Sequence, residues 1–309
     1  MLWYENVKPT FIYNNVLELQ NRNPNLKTEE AIIFLVNFDN GFGSNLTVIV
    51  QNSLYFKTIN PKLHCLGHFS ENGLNFKYHD TAYSNSFFQY FKYLKDIPFD
   101  TKCYFLKMNL LPDHIYPFIR SQSVNGLNVD NITINKLYSD HFKINFQANN
   151  CVGMNIKSEN ELPLIGIHVR SLAQILVQTL DKQESIEDRI VKLKKELDLK
   201  YVNYNIFLAT DVSDYINIVS NIFSKTNVKV YYNKTISRID NHGNGVNGLL
   251  YGYNDSVINL SEFTGLKLGH DIISDCLSLV ACDYYYVSVT NIAFITSFLT
   301  NKNNGIHYN

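Results

Sequence analysis

Cysteine, arginine and basic runs are scarce in this 309-residue chain, and each scarcity removes options. The five cysteines (Cys65, Cys103, Cys151, Cys276 and Cys282) are an odd number, with no CxxC pair and no Cys/His ligand spacing. That pattern argues against both a disulfide scaffold and a zinc site. Lysine outnumbers arginine by 22 to 5, formal net charge is −1, and basic residues nowhere cluster. The chain therefore lacks the electrostatic footprint of a nucleic-acid or anionic-membrane binder. No segment approaches the roughly 18 uninterrupted apolar residues of a membrane span. The opening MLWYENVKPTFIYNN has no basic stretch followed by an apolar run, so no secretory signal is read there. These absences give the expectation of a cytoplasmic chain with no integral membrane segment and no nucleic-acid partner. Also absent is a full Gly-x-Gly-x-x-Gly fingerprint with a ribose-binding acid beyond it, which removes a Rossmann oxidoreductase.

What is present is material for a core. Hydrophobic residues make up 45% of the chain against 18% charged, which excludes intrinsic disorder. Ala31–Phe38 (AIIFLVNF) is a short, nearly unbroken apolar run, the pattern of a strand covered on both faces. It runs into Asp39-Asn40-Gly41-Phe42-Gly43, after which Ser44-Asn45 are placed to cap a helix. The second half repeats the alternation. Strands are read at Leu164–Val169, Asn205–Ala209, Val228–Tyr232 and Asp283–Val289, with helices from Ser171, over Ser185–Leu197, from Asp211 to about Phe223, over Leu266–Ala281 and from Ile292. In Ser185–Leu197 the residues Ile186, Ile190, Leu193 and Leu197 form one stripe. Alternating strands and helices predict parallel sheets built from βαβ units. The polar, asparagine-rich stretch near 145–162 divides the chain into expected domains 1–150 and 151–309. Residues 57–150 show no clear period beyond short pieces such as Cys103–Met108.

Ligands of open α/β sheets bind beyond the carboxyl ends of the strands. The residues there are Asp39 to Asn45, His168 to Ser171, Thr210-Asp211 and Val289 to Asn291, with His270, Asp271 and Asp275 on the helix before the last strand. Arg170 offers a planar fork suited to a phosphate. Backbone N–H groups near Thr290-Asn291, at a helix start, attract anions. Asp275 can accept hydrogen bonds from a base or ribose. Together these describe a nucleoside diphosphate site. Each residue has a plainer alternative: Arg170 and Asp275 as ion-pair partners, Gly41 and Gly43 as a tight turn, His168 as a core histidine, and Tyr284–Tyr286 as a strand packed on both faces.

Taken together, Ile165-Gly-Ile-His168-Val-Arg170, Ile206-Phe-Leu-Ala-Thr-Asp211, the run from Gly269-His-Asp271 through Asp275 to Asp283, and Thr290-Asn291 resemble the donor half of GDP-fucose-dependent fucosyltransferases. That superfamily contains the α1,6-, α1,2- and protein O-fucosyltransferases. Asn40-Gly-Phe-Gly-Ser-Asn45 is similar to their first-domain glycine loop. Order and spacing agree over about residues 35–56 and 163–299. The resemblance implies an α/β fold of the GT-B class, two doubly wound Rossmann-like domains facing a cleft, with 1–150 on the acceptor side and 151–309 on the donor side. It implies inverting, metal-independent transfer of a sugar from a nucleotide donor, GDP-fucose, to a glycan hydroxyl, with no cofactor. Consistent with this, the chain has no Asp-x-Asp, the metal-holding signature of the other main glycosyltransferase fold.

Carried over by position, the resemblance implies that Arg170 binds the β-phosphate and His168 and Asp275 contact guanine. Thr290 and Asn291 would hold phosphate oxygens and Asp211 would order the donor pocket. Asn45 and the backbone of Gly41 and Gly43 would close over the donor. As general base we take Asp39, with Asp80 and His79 as alternatives. Some motif positions depart. Ser171 stands where a second arginine is common, Ala173 where an acid follows, Gln174 in place of a lysine, and Val212 in place of a second aspartate. These departures bear on the identity of the sugar more than on a nucleotide sugar as such. They keep open a UDP- or dTDP-linked donor, or a catalytically silent glycan-binding module.

Overall fold

The computed structural model describes residues 2–36, 42–69, 85–107, 123–124, 127–128, 140–145, 152–159, 161–169, 185–224, 227–236, 266–287, 292, 295–296, 299 and 305–307. The chain forms two compact units, one of Met1–Phe146 with Phe263–His270, the other of Gln147–Glu262 with Asp271–Asn309.

In the first unit the elements are β1 (Ile12–Tyr13), α1 (Val16–Arg22), β2 (Ala31–Val36), α2 (Phe42–Ile59), β3 (Leu63–Gly67), α3 (Phe87–Tyr90), β4 (Phe91–Tyr93), β5 (Lys102–Lys107), β6 (Ser123–Val124), β7 (Leu127–Asn128) and β8 (Phe142–Ile144). Four strands make a parallel sheet in the order β1-β5-β2-β3. β2 lies between two neighbours, and all six of its residues are buried, which is why its sequence is apolar without alternation. Helix α2 returns the chain to β3 with Ile49, Val50 and Phe56 buried. Its Ser53 hydroxyl donates within the helix to the Ile49 carbonyl at 2.9 Å. Ser44 and Asn45 lie inside the first turn of α2, because helical backbone already begins at Phe42. Ser44 and Asn45 are therefore not the expected cap, since a cap residue must have non-helical dihedrals. β4 and β8 pair antiparallel, as do β6 and β7. Phe87, Tyr90, Phe91, Tyr93 and Phe142 are buried around the β4–β8 pair and meet in edge and tilted ring contacts.

At the amino ends of β2 and β3 a relay crosses from surface to core. The Nε2 of buried His64 is 3.0 Å from the Glu30 carboxylate, and its Nδ1 is 2.7 Å from the Tyr93 hydroxyl. A carboxylate only accepts, so Nε2 carries the proton and Nδ1 accepts from Tyr93. Burial holds the His64 pKa below its ordinary value of 6.5, with the Lys57 charge adding to the effect and Glu30 opposing it. Lys95 acts in the same sense as Lys57. Below the unfolded pKa the unfolded chain takes up a proton that folded His64 refuses. Its contribution to stability is therefore full above about pH 6.5 and is lost as pH falls toward the depressed folded value. The stability advantage of the natural chain over His64→Gln should shrink between about pH 7.5 and pH 5.5, read as urea midpoints. A pH-independent difference would contradict this.

The second unit holds α4 (Val152–Glu159), β9 (Leu164–Val169), α5 (Ile186–Lys200), β10 (Asn205–Thr210), α6 (Ser213–Phe223), β11 (Val230–Tyr231), α7 (Leu266–Ala281, from Asp271 onward), β12 (Tyr284–Val287) and β13 (Gly305–His307). Its sheet runs β11-β10-β9-β12-β13 and is parallel throughout. Both faces are covered. On one, Ile165 and Ile167 of β9 and Ile206 and Leu208 of β10 pack against α5 and α6. On the other, Leu164, Phe207 and Ala209 pack with Ile156 of α4 and Leu279 of α7. The predicted stripe of α5 is buried in full, and Ser185 caps the helix by accepting from the Asp188 N–H at 3.1 Å. Tyr285 and Tyr286 face opposite layers, as expected of a strand packed on both faces.

The polar stretch near 145–162 contains a helix, α4, rather than linker alone. Lys157 of α4 pairs with Asp283 at 2.5 Å, and Asp283 also accepts from the Leu164 N–H at 2.9 Å. The expected strand at Val228–Tyr232 pairs only over Val230–Tyr231. Being at the sheet edge, it has a single neighbour to define its length.

Candidate functional site

Strand register sets out one edge of the second sheet. His168 pairs with Ala209 of β10 on one side and Val287 of β12 on the other. Asp211 immediately follows the last residue of β10, in a turn where the Thr210 hydroxyl accepts from the Val212 N–H at 3.2 Å before α6 begins. His168 and Asp211 thus stand at the same carboxyl edge, both partly buried.

Alternation along β9 sends Ile165 and Ile167 to the α5/α6 layer, so Leu164, Gly166 and His168 face the layer of α7. There α7 comes very close. A Cβ on Gly166 would lie 2.9 Å from Leu279 Cδ2 and 3.1 Å from Cys282 Sγ. From this contact His168 is two residues further along the strand, about 6.6 Å. Asp275 is four residues back along the helix, about 6 Å and one turn, on the same stripe as Leu279. Both advances lead toward the carboxyl edge of β9, and Asp211 follows the adjacent strand there. An imidazole and two carboxylates thus lie toward the edge where α/β sheets take ligands.

A further residue that the sequence did not single out holds this edge together. Asn233, two residues beyond β11, is buried and donates through Nδ2 to the Ser274 hydroxyl of α7 at 2.9 Å. Its Oδ1 accepts from the Thr235 N–H at 3.1 Å and the Thr235 hydroxyl at 2.8 Å. Asn-x-Thr directly after a strand is a turn-forming pattern. In so asparagine-rich a chain, that signal does not stand out.

Gly43 and Asn45 occupy the first turn of α2 in the first unit, beyond the carboxyl end of β2. Asp39, Gly41, Arg170, Thr290 and Asn291, with the alternatives His79 and Asp80, lie outside the described residues. Among the described residues, no group of three or more His, Cys, Asp or Glu side chains could hold a metal ion. No helix among them is long and apolar enough to cross a membrane.

The sequence matches no protein-family model and no curated protein. Solved structures do match in fold. The structure of NodZ alpha-1,6-fucosyltransferase soaked with GDP-fucose aligns over 88% of this chain and 93% of that chain, with a TM-score of 0.50 and 12% identity. The structure of POFUT1 in complex with GDP aligns over 91% of this chain and 98% of that chain, with a TM-score of 0.47 and 9% identity. In fold, then, this chain is similar to an α1,6-fucosyltransferase, and its two parallel sheets with flanking helices are of the α/β, GT-B class.

Proposed function

We propose that this chain is an inverting, metal-independent glycosyltransferase that moves fucose from GDP-fucose to a hydroxyl of a glycan acceptor. What supports this reading is that His168 and Asp275 lie toward the carboxyl edge of β9, in a fold similar to that of a fucosyltransferase whose structure was soaked with GDP-fucose. In this reading residues 151–309 bind the donor and residues 1–150 the acceptor. Asp275 and His168 hold the guanine, and Asp211 orders the pocket. Arg170 grips the β-phosphate with its fork, and Thr290 and Asn291 hold phosphate oxygens. The backbone of Gly41 and Gly43, with Asn45, closes over the donor. Supported by the absence of Asp-x-Asp, no metal takes part. A cytoplasmic location goes with this reading.

The reaction is a single displacement. The acceptor oxygen bonds to the sugar's anomeric carbon as the bond from that carbon to the β-phosphate oxygen breaks. The electron pair leaves on GDP, and the acceptor's proton passes to Asp39. Charge develops on the leaving diphosphate, where a fixed guanidinium stabilises the transition state more than the ground state.

Thermal stabilisation by GDP, UDP and dTDP tests the donor. A ligand at a hundredfold excess over its Kd raises stability by about 2.7 kcal/mol. GDP alone should shift the transition, and Arg170→Ala should remove the shift. A shift by UDP or dTDP instead would overturn the sugar donor, a possibility that Ser171 and Ala173 keep in view. No shift with any nucleotide would overturn the transferase reading in favour of a glycan-binding module.

A further inference from the structure

The inner line of α7 is built from small side chains. Ser274, Ser278 and Cys282 follow one another at four-residue steps, and all three are buried. The Ser278 hydroxyl donates to the Ser274 carbonyl at 2.9 Å, and Cys282 Sγ to the Ser278 carbonyl at 3.2 Å. Such a line permits close approach, with the buried Ile273 and Leu279 packing beside it through non-directional apolar contacts. Near its carboxyl-terminal end, the rotation is set by contact with Gly166 and Gly153. Near Asp275 the described residues provide a different device, the Asn233 amide on the Ser274 hydroxyl.

Asn233 suits that task. Its Oδ1 is fully engaged by Thr235, so its amide is aimed rather than free to rotate. Both ends of the bond are shielded, Asn233 being 5% and Ser274 4% exposed. Asp275 is the next residue along, about 100° round the helix. A carboxylate about 6 Å from the helix axis moves about 2 Å for a 20° rotation, enough to lose a hydrogen bond to a ligand.

We infer that Asn233 is a positioning residue: through Ser274 it fixes the azimuth of α7 at which Asp275 meets the nucleobase, and so sets base discrimination rather than diphosphate affinity. This rests on the nucleotide-sugar reading above. A carboxylate recognises guanine by accepting from its ring N–H and its exocyclic amine. Inosine diphosphate lacks that amine, and sites built to pair such a group reject analogues without it.

The test measures Kd for GDP, inosine diphosphate and pyrophosphate on the full chain, with the thermal midpoint alongside. Ser274→Ala is the main variant, because it removes one oxygen and alanine is the best helix former. Asn233→Ala is the second, and the double variant closes the cycle. The natural chain should prefer GDP by at least about tenfold. Each single variant should bring that preference to within about threefold, with pyrophosphate affinity unchanged, and the double variant should add nothing further. An unchanged preference in Ser274→Ala overturns this inference alone. So does equal weakening toward all three ligands, the mark of a purely structural role. A natural chain that binds none of the three overturns the nucleotide reading itself, and this inference with it.

Discussion

Gly153→Ala should destabilise the second unit, although helix propensity alone predicts the opposite. Alanine in place of glycine inside a helix is worth about 0.5–1 kcal/mol in its favour. Here the new Cβ would lie 2.5 Å from the Ser278 carbonyl oxygen and 2.9 Å from the Ser278 Cα. Those are backbone atoms of α7, held within the helix, so neither can swing aside as a side-chain tip could. α4 must instead retreat from α7. Ile156, one turn along α4, packs with Leu279 and Cys282 in the same layer, and retreat opens that contact too. Forced overpacking of this kind costs about 1–3 kcal/mol, which exceeds the propensity gain. At about 2–4 °C per kcal/mol for units of this size, the midpoint should fall by several degrees. Gly153→Val adds branching against the same backbone and should fall further. Urea and thermal unfolding decide the matter by sign, and a Gly153→Ala protein more stable than the natural one would refute the close approach.

The same contact explains what could and could not be read from sequence. α5 was legible because it has fifteen residues, one solvated face and one apolar stripe. β2, β9 and β10 were legible because burial on both faces leaves them as nearly continuous apolar runs. α4 was not. It is eight residues long, and its deepest described contacts are a glycine and one isoleucine, so no period is expressed and its polar residues read as linker. The β4–β8 region failed differently. Its aromatic residues fill a core from short, antiparallel pieces, where neither a 3.6 nor a 2 period has room to show. At the candidate site, His168 was equally consistent with a satisfied core histidine. What assigns it to the α7 layer is its parity with Gly166, a strand position whose missing side chain admits α7. Asn233 is a pairwise contact between residues 41 apart, and such contacts leave no local signature.

Arg170→Lys should lose most of the transferase rate while retaining much of the donor affinity. Only five arginines occur in the chain, and this one follows His168 by two residues at the carboxyl end of β9. On the reading proposed here, its guanidinium faces the β-phosphate as the glycosidic bond breaks. A guanidinium offers parallel N–H donors to two phosphate oxygens at once, whereas an ammonium is a point charge on a flexible stem. Ground-state GDP needs mainly charge, which lysine supplies. The transition state needs donors fixed where new charge appears, and losing one such donor typically costs about 10²–10³ in kcat. Ser171 stands where a second arginine is common in the resembling enzymes, so that position supplies no second guanidinium to share the load. Arg170→Ala should then lower both kcat and GDP affinity, and Arg170→Lys chiefly kcat. Steady-state kinetics with GDP-fucose, paired with GDP binding, separate the two effects. An Arg170→Lys enzyme with unchanged kcat would remove Arg170 from the chemistry and leave it, at most, a binding residue.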